Sequence, residues 1–180
     1  MAKHKNVIHL SAVPLETMKV PESLSFGGVR QRVGMAVGAR KLGYSFFTVL
    51  PGKAAFPFHL HNANEEMIYI SEGDATLRLG KEEIPVSSGT FIACPPGTDH
   101  PHQLINTSDR ELRYLVVSTM EYPEISEYPD SKKIGAYVTS AGAQAGFRAL
   151  YLKEKSVPYY EGEGGPAIER IKESRAKKGR

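Results

Sequence analysis

The sequence predicts an all-β fold in which short antiparallel strands close into a barrel or sandwich. Two observations carry that expectation. Between Val29 and Met120, short apolar runs are separated by turn residues roughly every eight to twelve positions, the rhythm of hairpins in all-β domains. Over the same stretch no strand alternates with a long helical pattern, which argues against a parallel α/β sheet. A chain of 180 residues is long enough to bury a sizeable core without staples, and reads as one domain with extensions at both ends.

Residues 1–28 read as an N-terminal arm. Val7-Ile8-His9-Leu10 is expected as a short strand, Pro14 and Pro21 break the segment after it, and Phe26-Gly27-Gly28 closes the arm. Such an arm pairs with a sheet edge, in its own subunit or a neighbour's. The barrel core is expected over 29–120. Tyr44–Leu50 is a strong strand ended by the Pro51-Gly52 turn. Strands follow at 56–61 and 66–71, joined by Asn62-Ala63-Asn64, and then at 75–79, 83–86 and 90–94. Pro95-Pro96-Gly97 stops the last of these, and 101–106 and 111–118 complete the set. Residues 121–180 read as an extension packing on the barrel, in which the β pattern weakens and proline, tyrosine and glycine become common. Its end is expected to be helical over Pro166–Lys178, with proline at the first helical position, Gly179 just past the last, and Ile168 and Ile171 as a narrow apolar stripe.

Charge and composition exclude several roles. Twenty-three basic against twenty acidic side chains give a net charge of +3. Much of the surplus sits in the tail at Lys172, Arg175, Lys177, Lys178 and Arg180, which reads as a solvated end, so a nucleic-acid partner is not expected. No apolar run approaches the roughly 20 residues that span a bilayer. No apolar stretch backs the charged start, so no secretory signal is expected. The single cysteine, Cys94, excludes an internal disulfide and suits a reducing, cytoplasmic home.

The chemistry gathers in two His-x-His clusters. Residues i and i+2 of a strand face the same way, so His59 and His61 aim both imidazoles into one space. Of Glu65 and Glu66, alternation lets only one join them. With Ile68 and Ile70 in phase, the inward set is Glu66, Ile68 and Ile70, and the outward set is Glu65, Met67, Tyr69 and Ser71. His100 and His102 come after the Pro-Pro-Gly turn, and a histidine at the start of the 101–106 strand can face the first pair. Three imidazoles and one carboxylate suit a divalent transition metal: Mn, Fe, Co, Ni or Zn. Four protein ligands in an octahedral sphere leave two positions for water, substrate or oxygen, and a hydroxyl bound there would be polarised. Phe58, Ile68, Ile70, Phe91 and Ile92 are expected as the dry wall around that space. Cys94 reads as a small buried hydrophobe and not a ligand. His4 and His9 read as uninvolved.

The spacing also resembles a known family. His59, His61, Glu66 after four residues and Gly73 after six more are similar to the first cupin motif, with Gly52 one residue further upstream than the motif asks. Gly89, Pro95 and Gly97 are similar to the second. The resemblance covers about residues 30–120 and implies a double-stranded β-helix, the cupin jelly-roll barrel, with a metal held by His59, His61, Glu66 and one further histidine. Counting on from Gly97 selects His100, and counting back from Asn106 selects His102. An insertion in the turn after Gly97 favours His102, with His100 as the alternative. Small single-domain bacterial cupins are the nearest in form, and some are loosely called sugar-phosphate isomerases. The resemblance therefore implies a metal-dependent enzyme on a small oxygenated substrate, as an isomerase of that type or an oxygen-dependent dioxygenase. A non-catalytic cupin that binds or senses a small ligand is the alternative. Isomerisation would need a base, for which Glu65, His100 and Tyr44 are candidates. Lys53, Arg78 and Arg113 are the cations nearest the motifs and read as solvated strand-edge charges. Cupin barrels commonly pair, so a homodimer is expected.

Overall fold

The structure, a computed structural model, describes residues 4–97, 99–138 and 146–178. Its strands are β1 (Glu16–Thr17), β2 (Val29–Gln31), β3 (Leu42–Val49), β4 (Leu60–His61), β5 (Glu66–Glu72), β6 (Asp74–Leu79) and β7 (Glu82–Ser87). They continue as β8 (Phe91–Cys94), β9 (His102–Ile105), β10 (Leu112–Thr119), β11 (Glu124–Tyr128), β12 (Lys133–Tyr137) and β13 (Arg148–Leu152). Two helices are present, a single turn α1 (Val33–Ala36) and α2 (Pro166–Lys178).

One sheet runs β1-β2-β3-β10-β5-β8. Opposite it lie a three-stranded sheet, β7-β6-β9, and a four-stranded one, β13-β12-β11-β4. All strand pairings are antiparallel, and the two smaller sheets meet at an isolated bridge between His59 and His102. There His59 N–H donates to the His102 carbonyl at 3.1 Å and His102 N–H returns the bond at 2.7 Å. The C-terminal strands thus prolong one wall of the barrel beyond the histidines. The core between the walls follows from period-two alternation. Phe47 and Val49 of β3, Ile68 and Ile70 of β5, Ile92 and Cys94 of β8, and Leu112 and Tyr114 of β10 all point inward. They meet Ala75 and Leu77 of β6 and Leu104 of β9.

Several expectations need correction. Val7–Leu10 is not a strand. The described turn there is 3₁₀ over Leu10–Ala12, with the His9 ring accepting from Ser11 N–H, a local bond that competes with sheet pairing. The strand expected at 56–61 shrinks to Leu60–His61, because Pro57 has no N–H to give a ladder. Phe91 does not line the interior: it is 69% exposed and packs on Tyr69 across the outer face. The weak pattern after Met120 hides β11, β12 and β13. Helix α2 spans the expected residues, but Ile168 and Ile171 remain 59% and 46% exposed, so the stripe stays open to solvent.

Two motif residues prove structural. Gly73 turns β5 into β6 at φ +90°, and a Cβ there would stand 2.6 Å from the Glu111 carbonyl oxygen, so only glycine fits. Asn106 is fully buried. Its amide donates to the Val49 and Arg110 carbonyls at 2.8 and 2.7 Å, and its Oδ1 accepts from Ser108 N–H and Oγ. Asn106→Ala would leave these groups unpaired in a dry place. The variant is expected to lose about 3 kcal/mol in a urea unfolding titration. A loss under about 1 kcal/mol would show that the turn is held by other contacts.

Candidate metal centre

The histidines are delivered by two short strands and the bridge between them. His61 lies on β4, His102 opens β9, and His59 pairs with His102 across the junction. Ring centroids are 5.0 Å apart for His59 and His61, 4.6 Å for His59 and His102, and 6.2 Å for His61 and His102. Glu66 begins β5 on the facing sheet. Its Oε2 lies 3.6 Å from His61 Nε2 and 3.4 Å from His102 Nε2. Ligand atoms of His59, His61 and Glu66 all fall within 4.8 Å of one another.

Each imidazole is held from behind. His59 Nδ1 is 2.8 Å from the Pro57 carbonyl, and His102 Nδ1 is 3.3 Å from the His100 carbonyl. His61 Nδ1 is 3.3 Å from Ser126 Oγ and 3.4 Å from Glu124 Oε1. An oxygen lies beside each Nδ1, and a proton held there would free the Nε2 lone pair for a cation in the interior. His61 Nε2 is buried with no hydrogen-bond partner, which is what an unfilled ligand atom looks like. Burial, then repulsion from His102 and His61, pushes His59 down to about 4, so its ring is neutral at pH 7. Burial pushes Glu66 up, but the His102 bond and the neighbouring imidazoles outweigh it, and the carboxyl titrates below its usual range. Neutral imidazoles and an ionised carboxylate are the forms that ligate a divalent cation, so the residues fit one.

The other sequence candidates lie elsewhere. Glu65 is exposed, with its backbone N–H on Thr119 Oγ1, because alternation turns it opposite to Glu66. His100 is exposed and contributes its carbonyl and not its ring. Tyr44 packs where Gly34 leaves room for it, outside the cavity. Arg78 pairs with Asp130 and Gln103 over the Phe58 ring, and Arg113 pairs with Glu72. Neither they nor Lys53 line the cavity.

That cavity is about 620 Å³ and opens from the histidine cluster toward the C-terminal strands. Ile68, Leu104, Tyr114 and Val116 form its apolar floor, and Tyr122, Tyr128, Tyr137 and Arg148 line it as well. Sequence reasoning missed the residues supplied by the extension. Glu124, Ser126 and Tyr128 sit at i, i+2 and i+4 of β11, and that polar alternation was the available signal. Glu124 is buried and binds the turn between β4 and β5. Its carboxylate accepts from the backbone N–H groups of Asn62, Ala63 and Asn64 and from Asn64 Nδ2.

Comparison with known proteins agrees with this geometry. The Cupin domain family matches residues 45–118, which include most of β3, the histidine and glutamate cluster and most of β10. Residues 45–118 are a cupin domain. An uncharacterised protein of Methanocaldococcus jannaschii is 32% identical over 74 residues, 41% of this chain. The match spans 58% of that relative's length. Among solved structures, a protein of Acidithiobacillus ferrooxidans called a sugar phosphate isomerase superposes with a TM-score of 0.73 at 24% identity, covering 86% of this chain and 96% of its own. A sugar phosphate isomerase of the cupin superfamily from Silicibacter pomeroyi gives 0.71 at 23%, covering 86% and 98%. A polyketide cyclase of Streptomyces resistomycificus gives 0.55 at 26%, covering 69% and 84%. The first two likenesses cover more of the chain than the 74 residues of the cupin domain. Among the described residues, no helix is long and apolar enough to cross a membrane.

Proposed function

We propose that this cupin protein is a metal-dependent enzyme that moves protons on a small hydroxy or carbonyl compound, an isomerase-type activity. One observation carries the reading. His59, His61 and Glu66 bring ligand atoms within 4.8 Å of one another, His102 Nε2 lies 3.4 Å from the same Glu66 oxygen, and all four line a cavity of about 620 Å³. A divalent cation on His59, His61, Glu66 and His102 would act as a Lewis acid on a substrate oxygen.

The chain's own groups do the rest. The apolar floor keeps the reacting end dry. Tyr128 stacks on His59 with centroids 6.1 Å apart, and its hydroxyl lies 2.9 Å from that of Tyr137. Burial, then the Tyr137 bond, pushes the Tyr128 phenol up, so at neutral pH it keeps its proton and can donate to a substrate oxygen. The two hydroxyls can pass one proton between them.

A second reading, a cupin that binds or senses a small ligand without turning it over, has an observation of its own. Among the described lining residues, the acids and imidazoles are all committed to the ligand cluster or its support, and only phenols are left as proton carriers. The two share the metal and differ in turnover. The protein, purified without an affinity tag and assayed for metal content, would be incubated in deuterated water with aldose and ketose phosphates and followed by proton NMR. Exchange of the proton beside the carbonyl, lost after chelation and regained on metal return, supports the enzyme. Binding with no exchange supports the sensor. Oxygen uptake by the iron form with substrate cleavage would replace proton transfer with the dioxygenase chemistry. The one free cysteine, Cys94, is buried and suits a reducing compartment, so we place the protein in the cytoplasm, and the cupin resemblance makes a homodimer the assembly we propose.

A further inference from the structure

Arg148 opens β13 on the prolonged wall, lines the cavity and is solvent-exposed. It is the one lysine or arginine among the described residues that line the cavity. Its guanidinium carbon sits 5.1 Å above the centre of the Tyr137 ring. Stacking of this kind holds the plane of the fork while leaving its N–H edges free. Arg30, Arg32, Arg78, Arg110 and Arg113 each pair with a carboxylate, whereas Arg148 has no carboxylate partner among the described residues. The sequence holds no acid at all between Asp130 and Glu154. Contacts connect this cation to the ligand cluster: Arg148 on Tyr137, the Tyr137 hydroxyl on that of Tyr128, and the Tyr128 ring on His59. The cavity therefore carries the histidine cluster, two phenols and a cation with no carboxylate partner among the described residues, joined by one line of contacts.

We infer that the ligand is a small anion, carrying a phosphate or carboxylate group that Arg148 binds while an oxygen at its other end meets the histidine cluster. The inference rests on the proposed function for what happens at the cluster end and names the substrate class that this function takes. A guanidinium fork matches either anion in bidentate fashion, and the neighbouring phenols add donors to the remaining oxygens. Arg148 is solvent-exposed, so water solvates it when the cavity is empty, and a neutral polyol of the same size would gain nothing from its charge.

The test uses the full chain and measures binding by calorimetry with inorganic phosphate, malonate, ribose 5-phosphate and ribose. Phosphate against malonate separates the two anion classes. Ribose 5-phosphate should bind about tenfold or more tightly than ribose, and Arg148→Gln should erase that difference. Arg148→Lys should keep part of it, since it keeps the charge but not the fork. Arg113→Gln, outside the cavity, should bind as the wild type does. Metal content of the Arg148 variants should match the wild type. Each titration is repeated after chelation, when the anion difference should persist, because it belongs to the arginine end. Equal binding of ribose and ribose 5-phosphate, or an anion preference untouched in Arg148→Gln, overturns the inference whatever the metal result. A preference that depends on Arg148 in a protein that binds no metal would keep this inference and remove the proposed function.

Discussion

Replacing Glu124 with alanine is expected to lower the free energy of unfolding by about 3–5 kcal/mol and to weaken metal binding about 10–100-fold. The carboxylate is almost wholly buried and accepts from three successive backbone N–H groups, Asn62, Ala63 and Asn64, at 3.0, 3.1 and 2.9 Å. Asn64 Nδ2 adds a fourth bond at 2.6 Å, and His61 Nδ1 lies 3.4 Å away. Alanine would strand all of these donors at once and release the His61 ring. Burial pushes Glu124 up, but the His61 bond and charge and the donors around the carboxylate outweigh it, leaving the group below its usual range and ionised at neutral pH. A depressed carboxyl stabilises the fold above its unfolded value and stops doing so as pH falls through its folded value, so the gap between wild type and Glu124→Ala should narrow in acid. Glu124→Gln keeps the shape but turns an –NH₂ toward donors, and is expected to cost about 2 kcal/mol. Urea titrations and a competitive metal titration check both effects. Unchanged stability in Glu124→Ala would mean that solvent reaches the turn at 62–64 and replaces the cradle.

What the sequence could reveal tracked the strength of its periodicities. Strands β3, β5 and β10 alternate large apolar side chains with polar or half-buried ones because one face meets the core, and each was legible to within two residues. The C-terminal strands were not. Their inner face meets a polar cavity, so Glu124, Ser126, Tyr128 and Tyr137 occupy the positions where a core strand would carry valine or isoleucine. Such a strand loses the apolar half of its pattern, and Pro123 at its entry reads as a breaker. The meeting of His59, His61 and Glu66 was legible because they are close in sequence and their phases are fixed by Ile68 and Ile70. Its support was not, because Glu124 reaches the turn at 62–64 from about 60 residues away. The same limit hid Arg148. Lys53, Arg78 and Arg113 are the cations beside the motifs in sequence, whereas the cation in the cavity arrives on the last strand.

This division of labour has a physical logic. The cupin domain supplies three imidazoles and a carboxylate on a rigid barrel, each fixed by strand phase. The extension supplies Glu124 to orient His61, the phenols beside His59, and the Arg148 charge. A relative with the same domain and a different extension would keep the histidine and glutamate cluster and change the groups that face it. Fold likeness alone therefore does not carry a substrate from one such protein to another.

Metal occupancy is expected to fall to background in His102→Ala and to stay near the wild-type level in His100→Ala. His102 is buried, its Nε2 is 3.4 Å from Glu66 Oε2, and its ring is 4.6 Å from that of His59. The His100 ring is exposed, and what this residue gives the site is its carbonyl, which any residue supplies. The two variants differ in a metal assay after exhaustive dialysis, and the reverse result would move the fourth ligand to His100. The chelated protein offers an independent reading of the same cluster through pH. His59 is held at about 4 against an ordinary 6.5, so between these values the unfolded chain takes up a proton that the folded one refuses. Stability of the metal-free protein should therefore fall as pH drops from 6.5 toward 4, and Glu66, depressed below its usual 4.5, extends the loss to lower pH. His59→Ala removes the first contribution, and its urea midpoint should change less between about pH 7 and about pH 5 than that of the wild type. Equal slopes for the two proteins would place the His59 ring in water, open to protons, and the packed cluster of free Nε2 atoms would not describe the site.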